Sequence, residues 1–228
     1  MSRNQIIKEY TEQGVVILQL NSKHYHNPFS DEMELALANR LRQVNADSTV
    51  QAVVITGGED RSFSVGGDFN EVSEFEGGPE VDHWIQTLIQ MYVACLEVEK
   101  PVLSALDNYV IGIGMQLALC CDARLGSHRC QLIMPELKNG IACALGQYML
   151  EKMLSRTEMM RIVYGCGPVP HEDCLRMGLL HSVHSVDSVL PETIALAAEW
   201  ASYPKVAFQV TKRKMNQDYI DGLNTIVP

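Results

Sequence analysis

The chain has 228 residues, 46% of them hydrophobic and 20% charged, and a formal net charge of −10. That length suits one medium-sized domain able to bury a sizeable core. The acidic balance repels phosphate backbones and sets nucleic acid aside as a partner, and no apolar run is long enough for a membrane-spanning helix.

The N-terminus MSRNQIIKEYTEQ is polar and lacks the apolar region of a secretory signal. Seven cysteines, an odd count without C-x-x-C spacing, read as small reduced core residues. These features lead us to expect a cytoplasmic protein with no membrane partner.

IIKEYTEQGVVILQLN alternates around Gly14 and predicts a hairpin, with VVILQL as its second strand. NPFSDEMELALANRLRQVNAD follows as a helix capped by Ser30, with Met33, Leu35, Leu37, Leu41 and Val44 on its apolar face. VQAVVITGG is a short, nearly continuous apolar strand of the kind buried on both faces. The glycine turn SFSVGGDF comes next, and Asp68 is expected to cap the helix it precedes. DHWIQTLIQMYVACLEVEK predicts a helix ended by Pro101, PVLSALDNYVIG a strand and loop, and IGMQLALCCDARL a compact helix running into a strand. After IMPELKNG the segments LGQYMLEKML, TEMMRIVYG, HEDCLRMGLL and PETIALAAEWASY all keep helical spacing. The pattern is α/β, with a helical C-terminal region.

Familiar nucleotide and hydrolase signatures are missing. GIGMQL begins like a dinucleotide fingerprint, but Leu117 stands where the third glycine belongs. No Walker A, G-x-S-x-G or H-E-x-x-H sequence is present. His181 and His184 follow a helix in a segment that reads as a strand, where their spacing turns the rings to opposite faces, so no metal site is expected. The basic run TKRK at 211–214 reads as a solvated helix face or as a contact for one anion.

Two glycine turns carry more chemistry. Gly66-Gly67-Asp68 and Gly112-Ile113-Gly114 each end an apolar strand, and the second opens a helix. Together they can aim two backbone N–H groups at one oxygen, each worth roughly 3 kcal/mol in a dry oxyanion site. Glu136, held behind a proline in an apolar neighbourhood, is then an acid with a purpose.

The blocks HNPFS, VQAVVITGGEDRSFSVGGDF, KPVLSALDNYVIGIGMQLALCCDARL, MPELKNGI and the late ASYP with TKR resemble the crotonase (enoyl-CoA hydratase/isomerase) superfamily in order and spacing. The resemblance implies a ββα spiral core over 1–195 and a helical C-terminal trimerisation region over 196–228. It also implies a homotrimer or hexamer without a permanently bound cofactor. It implies that a coenzyme A thioester is the substrate, its carbonyl oxygen held by the N–H groups of Gly67 and Ile113. Family hydratases use two glutamates; the matching positions here are Gln116 and Glu136. An amide cannot shuttle a proton, so hydration is disfavoured and single-glutamate chemistry remains.

HNPFS, DRSFSVGGDFNEV, MPELKNGI and Trp84 look closest to a group within the family, the carboxymethylproline synthases of carbapenem antibiotic biosynthesis. That likeness implies malonyl-CoA and the imine pyrroline-5-carboxylate as substrates. Glu136, Gly67 and Ile113 would be catalytic, and Gln116, Trp84, Gly66, Asn27 and Pro28 would bind substrate. The alternatives are a single-glutamate enoyl-CoA isomerase and a non-catalytic acyl-CoA-binding relative. Relatives run on into a further C-terminal helix with a histidine, beyond the point matched by GLNTIVP.

Overall fold

The computed structural model describes residues 6–68 and 78–226. The chain opens with the hairpin, β1 (Ile7–Glu12) and β2 (Val15–Leu20), paired antiparallel from Ile7 opposite Leu20 to Glu12 opposite Val15. Gln13 and Gly14 both take positive φ, 51° and 78°, the combination a two-residue turn needs to match strand twist. A parallel run then extends the sheet through β3 (Ala52–Thr56), β4 (Val102–Leu106), β6 (Ala123–Ser127) and β8 (Ser182–His184). The six strands lie in the order β1-β2-β3-β4-β6-β8. Two short strands, β5 (Tyr109–Ile111) and β7 (Gln131–Ile133), form a separate parallel pair beside it.

Helices cover both faces. Alternate residues of β2 show why: Val16 and Leu18 join the larger core with α1 (Asp31–Ala46) and α2 (Pro79–Leu96), whereas Val15 and Ile17 face the other way. The main site-forming connections are α3 (Ile113–Leu119), a 3-10 turn at Glu136–Asn139 and α4 (Ala144–Glu151). Then come α5 (Arg156–Gly165), α6 (His171–Arg176), α7 (Val186–Ala201) and α8 (Lys205–Leu223). Each fully buried Val, Leu or Ile in these layers contributes about 1.5–3 kcal/mol relative to exposure.

Ser30 caps α1 as expected, its hydroxyl accepting from the Met33 amide. Leu35, expected on the buried face of that helix, is 47% exposed. α2 starts earlier than its apolar pattern, at Pro79, where a missing N–H costs nothing. It ends at Leu96, well before Pro101, because the side-chain amide of Asn45 takes over the loop: Nδ2 donates to Glu97 O and Oδ1 accepts from Glu99 N. The helix expected after Asp68 falls on 69–77, outside the described residues.

The expected division at 195/196 cuts through α7, a continuous helix that places Ile194 and Ala197 on the same sheet face. α7 also begins at Val186 and carries Pro191 inside it, where the sequence pattern had started the helix. α8 packs on its own chain: Leu223 is fully buried in the main core. The spiral core and the C-terminal helices therefore share one interior.

Candidate active site

The first donor is placed by a three-way crossing. Phe29 N donates to Gly66 O and Asp68 N donates to Phe29 O, both at 2.7 Å, which makes a parallel bridge between Phe29 and Gly67. In that pairing Gly67's own N–H turns away from Phe29. Gly66 sits at φ +94°, and a Cβ there would lie 3.2 Å from Ile111 O, so only glycine lets this turn lie against the strand before α3. Gly112, at φ 52°, turns the chain into α3 and leaves Ile113 as its first residue, whose N–H has no partner within the helix.

The acid arrives from the next strand. Gly112 N donates to Ile133 O at 2.9 Å, pinning the end of β7 to the start of α3. Three residues later the chain tightens into the 3-10 turn, closed by Gly140 in the left-handed region at φ 74°. Glu136 heads this turn at 9% exposure.

Glu136 Oε1 accepts from Gln116 Nε2 at 2.8 Å, and Gln116 Oε1 accepts from the Tyr92 hydroxyl, also at 2.8 Å. Glu136 Oε2 is buried and has no hydrogen-bond partner among the described residues. Burial raises the Glu136 carboxyl above the usual carboxylate range, and its backbone amide, Gln116 and Cys143 pull it partly back. The Cys143 thiol is itself pushed up to about 12, by burial first and then by the charge of Glu136.

These groups face one cavity of about 270 Å³. Gly66, Gly67, Ile113, Gln116, Glu136 and Trp84 all line it, so six of the eight expected site residues converge. Its remaining wall is largely apolar, with Ile85, Leu88 and Leu145 prominent, and Ile226 closes it from the C-terminal segment. Backbone N–H groups of Gly67 and Ile113, both cavity-lining residues, beside one buried carboxylate can stabilise an enolate or a tetrahedral oxyanion and move one proton.

Asn27 and Pro28 do not reach this cavity. Asn27 is fully buried and its amide is saturated: Nδ2 donates to Gly57 O and Ser62 O, both at 2.9 Å, while Oδ1 accepts from Ser22 N and Arg61 Nη2. It clamps the loop that presents Phe29 to Gly67 and has no valence left for substrate. Pro28 is half-buried in the same loop. The basic run is a solvated face at Thr211, Arg213 and Lys214 and is buried at Lys212. Lys212 is 5% exposed and donates to Asp122 Oδ2 at 2.6 Å and Lys100 O at 2.9 Å, while Arg213 pairs with Glu99. His184 bonds to Ser182 Oγ through Nε2, and His181 meets Trp200 edge-on.

Three cavity-related residues escaped the sequence reading: Tyr92, Cys143 and Asn139. Tyr92 follows Trp84 and Leu88 at helical spacing, which places it on their face of α2 but does not set its hydroxyl apart from a core aromatic. Asn139 stands three residues after Glu136, which in a 3-10 turn brings the two side chains to the same side.

The family profile for enoyl-CoA hydratase/isomerase matches residues 10–227. The chain belongs to this family. Among enoyl-CoA hydratase/isomerase family relatives, the carboxymethylproline synthase of Pectobacterium carotovorum subsp. carotovorum is 38% identical over 94% of this chain and 86% of its own. The crotonyl-CoA hydratase of Syntrophomonas wolfei is 26% identical over 95% of this chain and 83% of its own. Of solved structures, ThnE from S. clavuligerus superposes with a TM-score of 0.81 at 32% identity, covering 96% of this chain and 98% of that one. A family acyl-CoA enzyme of crotonase fold accounts for the cavity and for Glu136 in its wall. No helix among the described residues is long and apolar enough to cross a membrane.

Proposed function

We propose that this family member makes carboxymethylproline from malonyl-CoA and pyrroline-5-carboxylate. The observation that carries the reading is the pairing of Glu136 with an amide, Gln116, at the position where family hydratases hold a second glutamate. The likeness to the Pectobacterium synthase supports it.

The malonyl thioester oxygen lies between the N–H groups of Gly67 and Ile113. Among the described residues no Lys, Arg or His lines the cavity, so the malonyl carboxylate is poorly solvated there and its loss as carbon dioxide is favoured. The electron pair of the broken C–C bond becomes the enolate, whose oxygen the two donors stabilise. The enolate carbon attacks the C=N carbon of the imine, whose electron pair passes to nitrogen with a proton from water. Glu136 then takes a proton from water as it attacks the thioester; the C–S bond breaks, the departing thiolate takes that proton from Glu136, and carboxymethylproline and coenzyme A are released.

Gln116 was expected to orient the second substrate, but both ends of its amide are engaged by Tyr92 and Glu136. Asn139 replaces it in this reading: it lines the cavity on the side of Glu136 and suits the imine's carboxylate. The enzyme needs no resident cofactor in this scheme. It works as a homotrimer or hexamer, consistent with the exposed Val206, Val210 and Met215 on α8; light scattering checks the mass.

An enoyl-CoA isomerase is the second reading, favoured by the apolar wall of Ile85, Leu88 and Leu145. Incubation with malonyl-CoA and pyrroline-5-carboxylate, with mass detection, separates the two. Carboxymethylproline supports the synthase; its absence, together with turnover of a 3-enoyl-CoA, replaces it with the isomerase.

A further inference from the structure

We infer that Tyr92 is a positioning residue that locks the Gln116 amide in one orientation, so that Glu136 is held by a donor at Oε1 and handles its proton at Oε2. The inference rests on Glu136 being the site's base, as in the proposed function.

A glutamine amide can face a carboxylate with either end, and only one is attractive. Nε2 donates to the carboxylate, whereas a flipped amide would set Oε1 against it, oxygen to oxygen. Nothing on Glu136 alone selects the first arrangement across both of its protonation states, because a protonated carboxyl could donate to Oε1. The Tyr92 hydroxyl removes that freedom. It donates to Gln116 Oε1 at 2.8 Å from a fully buried ring, so Nε2 is directed at Glu136 Oε1 at 2.8 Å. Burial holds the phenol's own ionisation well above its ordinary value, so the hydroxyl remains a donor through the working pH range.

Among the described residues the titratable groups interacting with Glu136 are Tyr92 from α2 and Cys143 at the head of α4; Gln116 from α3 is the neutral link between Tyr92 and the acid. Among the described residues no Lys, Arg or His lines the cavity to override the amide's influence. With Oε1 occupied, Oε2, which has no hydrogen-bond partner among the described residues, is the atom left to take a proton from water.

The test is the titration of Glu136 itself, followed by NMR of ¹³C-carboxyl glutamate and assigned by its loss in Glu136→Gln. Tyr92→Phe should raise the Glu136 midpoint by roughly half to one pH unit, because the amide no longer donates to the carboxylate full-time. Gln116→Met should raise it at least as far, and adding Tyr92→Phe to Gln116→Met should change nothing more. Product formation by Tyr92→Phe should fall further at pH 5 than at pH 8. A ring that serves only as packing would lower the melting temperature and leave the midpoint in place, and that result overturns the inference. So does a further shift in the double variant. The NMR readout does not depend on turnover, so a wild-type protein that makes no carboxymethylproline would refute the functional reading and leave the lock to be judged on the titration.

Discussion

Gly66→Ala should separate damage to the oxyanion donors from damage to the fold. At φ +94° an alanine pays roughly 1–2 kcal/mol in backbone strain. Its Cβ would also stand 3.2 Å from Ile111 O, a backbone atom that cannot swing aside. Relief requires the Gly66–Gly67 turn to withdraw from the segment leading into α3, which carries Gly67 N away from the oxygen it would share with Ile113 N. Losing one such donor costs about 3 kcal/mol of transition-state stabilisation, or on the order of a hundredfold in rate. The strain alone lowers the melting temperature of a chain this size by only about 2–8 °C. Carbon dioxide release from malonyl-CoA, measured well below the melting transition, should therefore fall about a hundredfold with KM changed much less. Decarboxylation within threefold of wild type, in a variant with the strain-sized loss of melting temperature, would refute the placement of the donor at Gly67.

Asn139→Ala should raise KM for pyrroline-5-carboxylate by about tenfold and leave KM for malonyl-CoA within twofold, since one exposed hydrogen bond to a carboxylate is removed; steady-state kinetics in each substrate decides it. Lys212→Met leaves Asp122 without its buried partner and should cost about 3 kcal/mol in urea unfolding, with no gain or loss of coenzyme A affinity beyond that of the folded fraction. The raised Glu136 carboxyl has two consequences of opposite sense for activity and stability. The base form is needed for hydrolysis, so the acid limb of the rate profile should lie above the ordinary carboxylate range. The folded value also exceeds the unfolded one, so this group's contribution to stability is present below the unfolded value and lost as pH rises through the folded one. Urea midpoints of wild type and Glu136→Gln between pH 4 and 8 should therefore converge towards the acid end.

What the sequence made legible were features whose cause is local. Gly14 with its flanking alternation, Ser30 before an acidic first turn, and Gly66 and Gly112 after apolar strands each announce a backbone conformation that few other residues support. Glu136 stood out because an acid behind a proline in an apolar run has few structural reasons to be there. Residues whose role is set by distant partners were misread. Asn27 looks like a loop residue open to ligand, yet its four hydrogen bonds reach back to Ser22 and forward to Gly57, Arg61 and Ser62. Lys212 sits in a basic run and is nonetheless buried against Asp122, ninety residues away in the chain. Tyr92 was hidden for the opposite reason: its place on the apolar face of α2 is that of an ordinary core aromatic, and only its hydroxyl belongs to the site. The helix expected from Pro191 begins instead at Val186 and continues through the proline, whose missing N–H the sequence pattern took for a start.

The account turns on Glu136 acting after the C–C bond is made. Glu136→Ala, mixed with malonyl-CoA and pyrroline-5-carboxylate and quenched for mass analysis, should still release carbon dioxide and accumulate carboxymethylproline as its coenzyme A thioester. Free carboxymethylproline should appear at least a hundredfold more slowly than with wild type, the scale of losing a general base, about 10²–10⁴-fold. Release of the free acid at the wild-type rate would contradict the role assigned to Glu136, and failure to release carbon dioxide from a folded variant would place that residue in the earlier step instead.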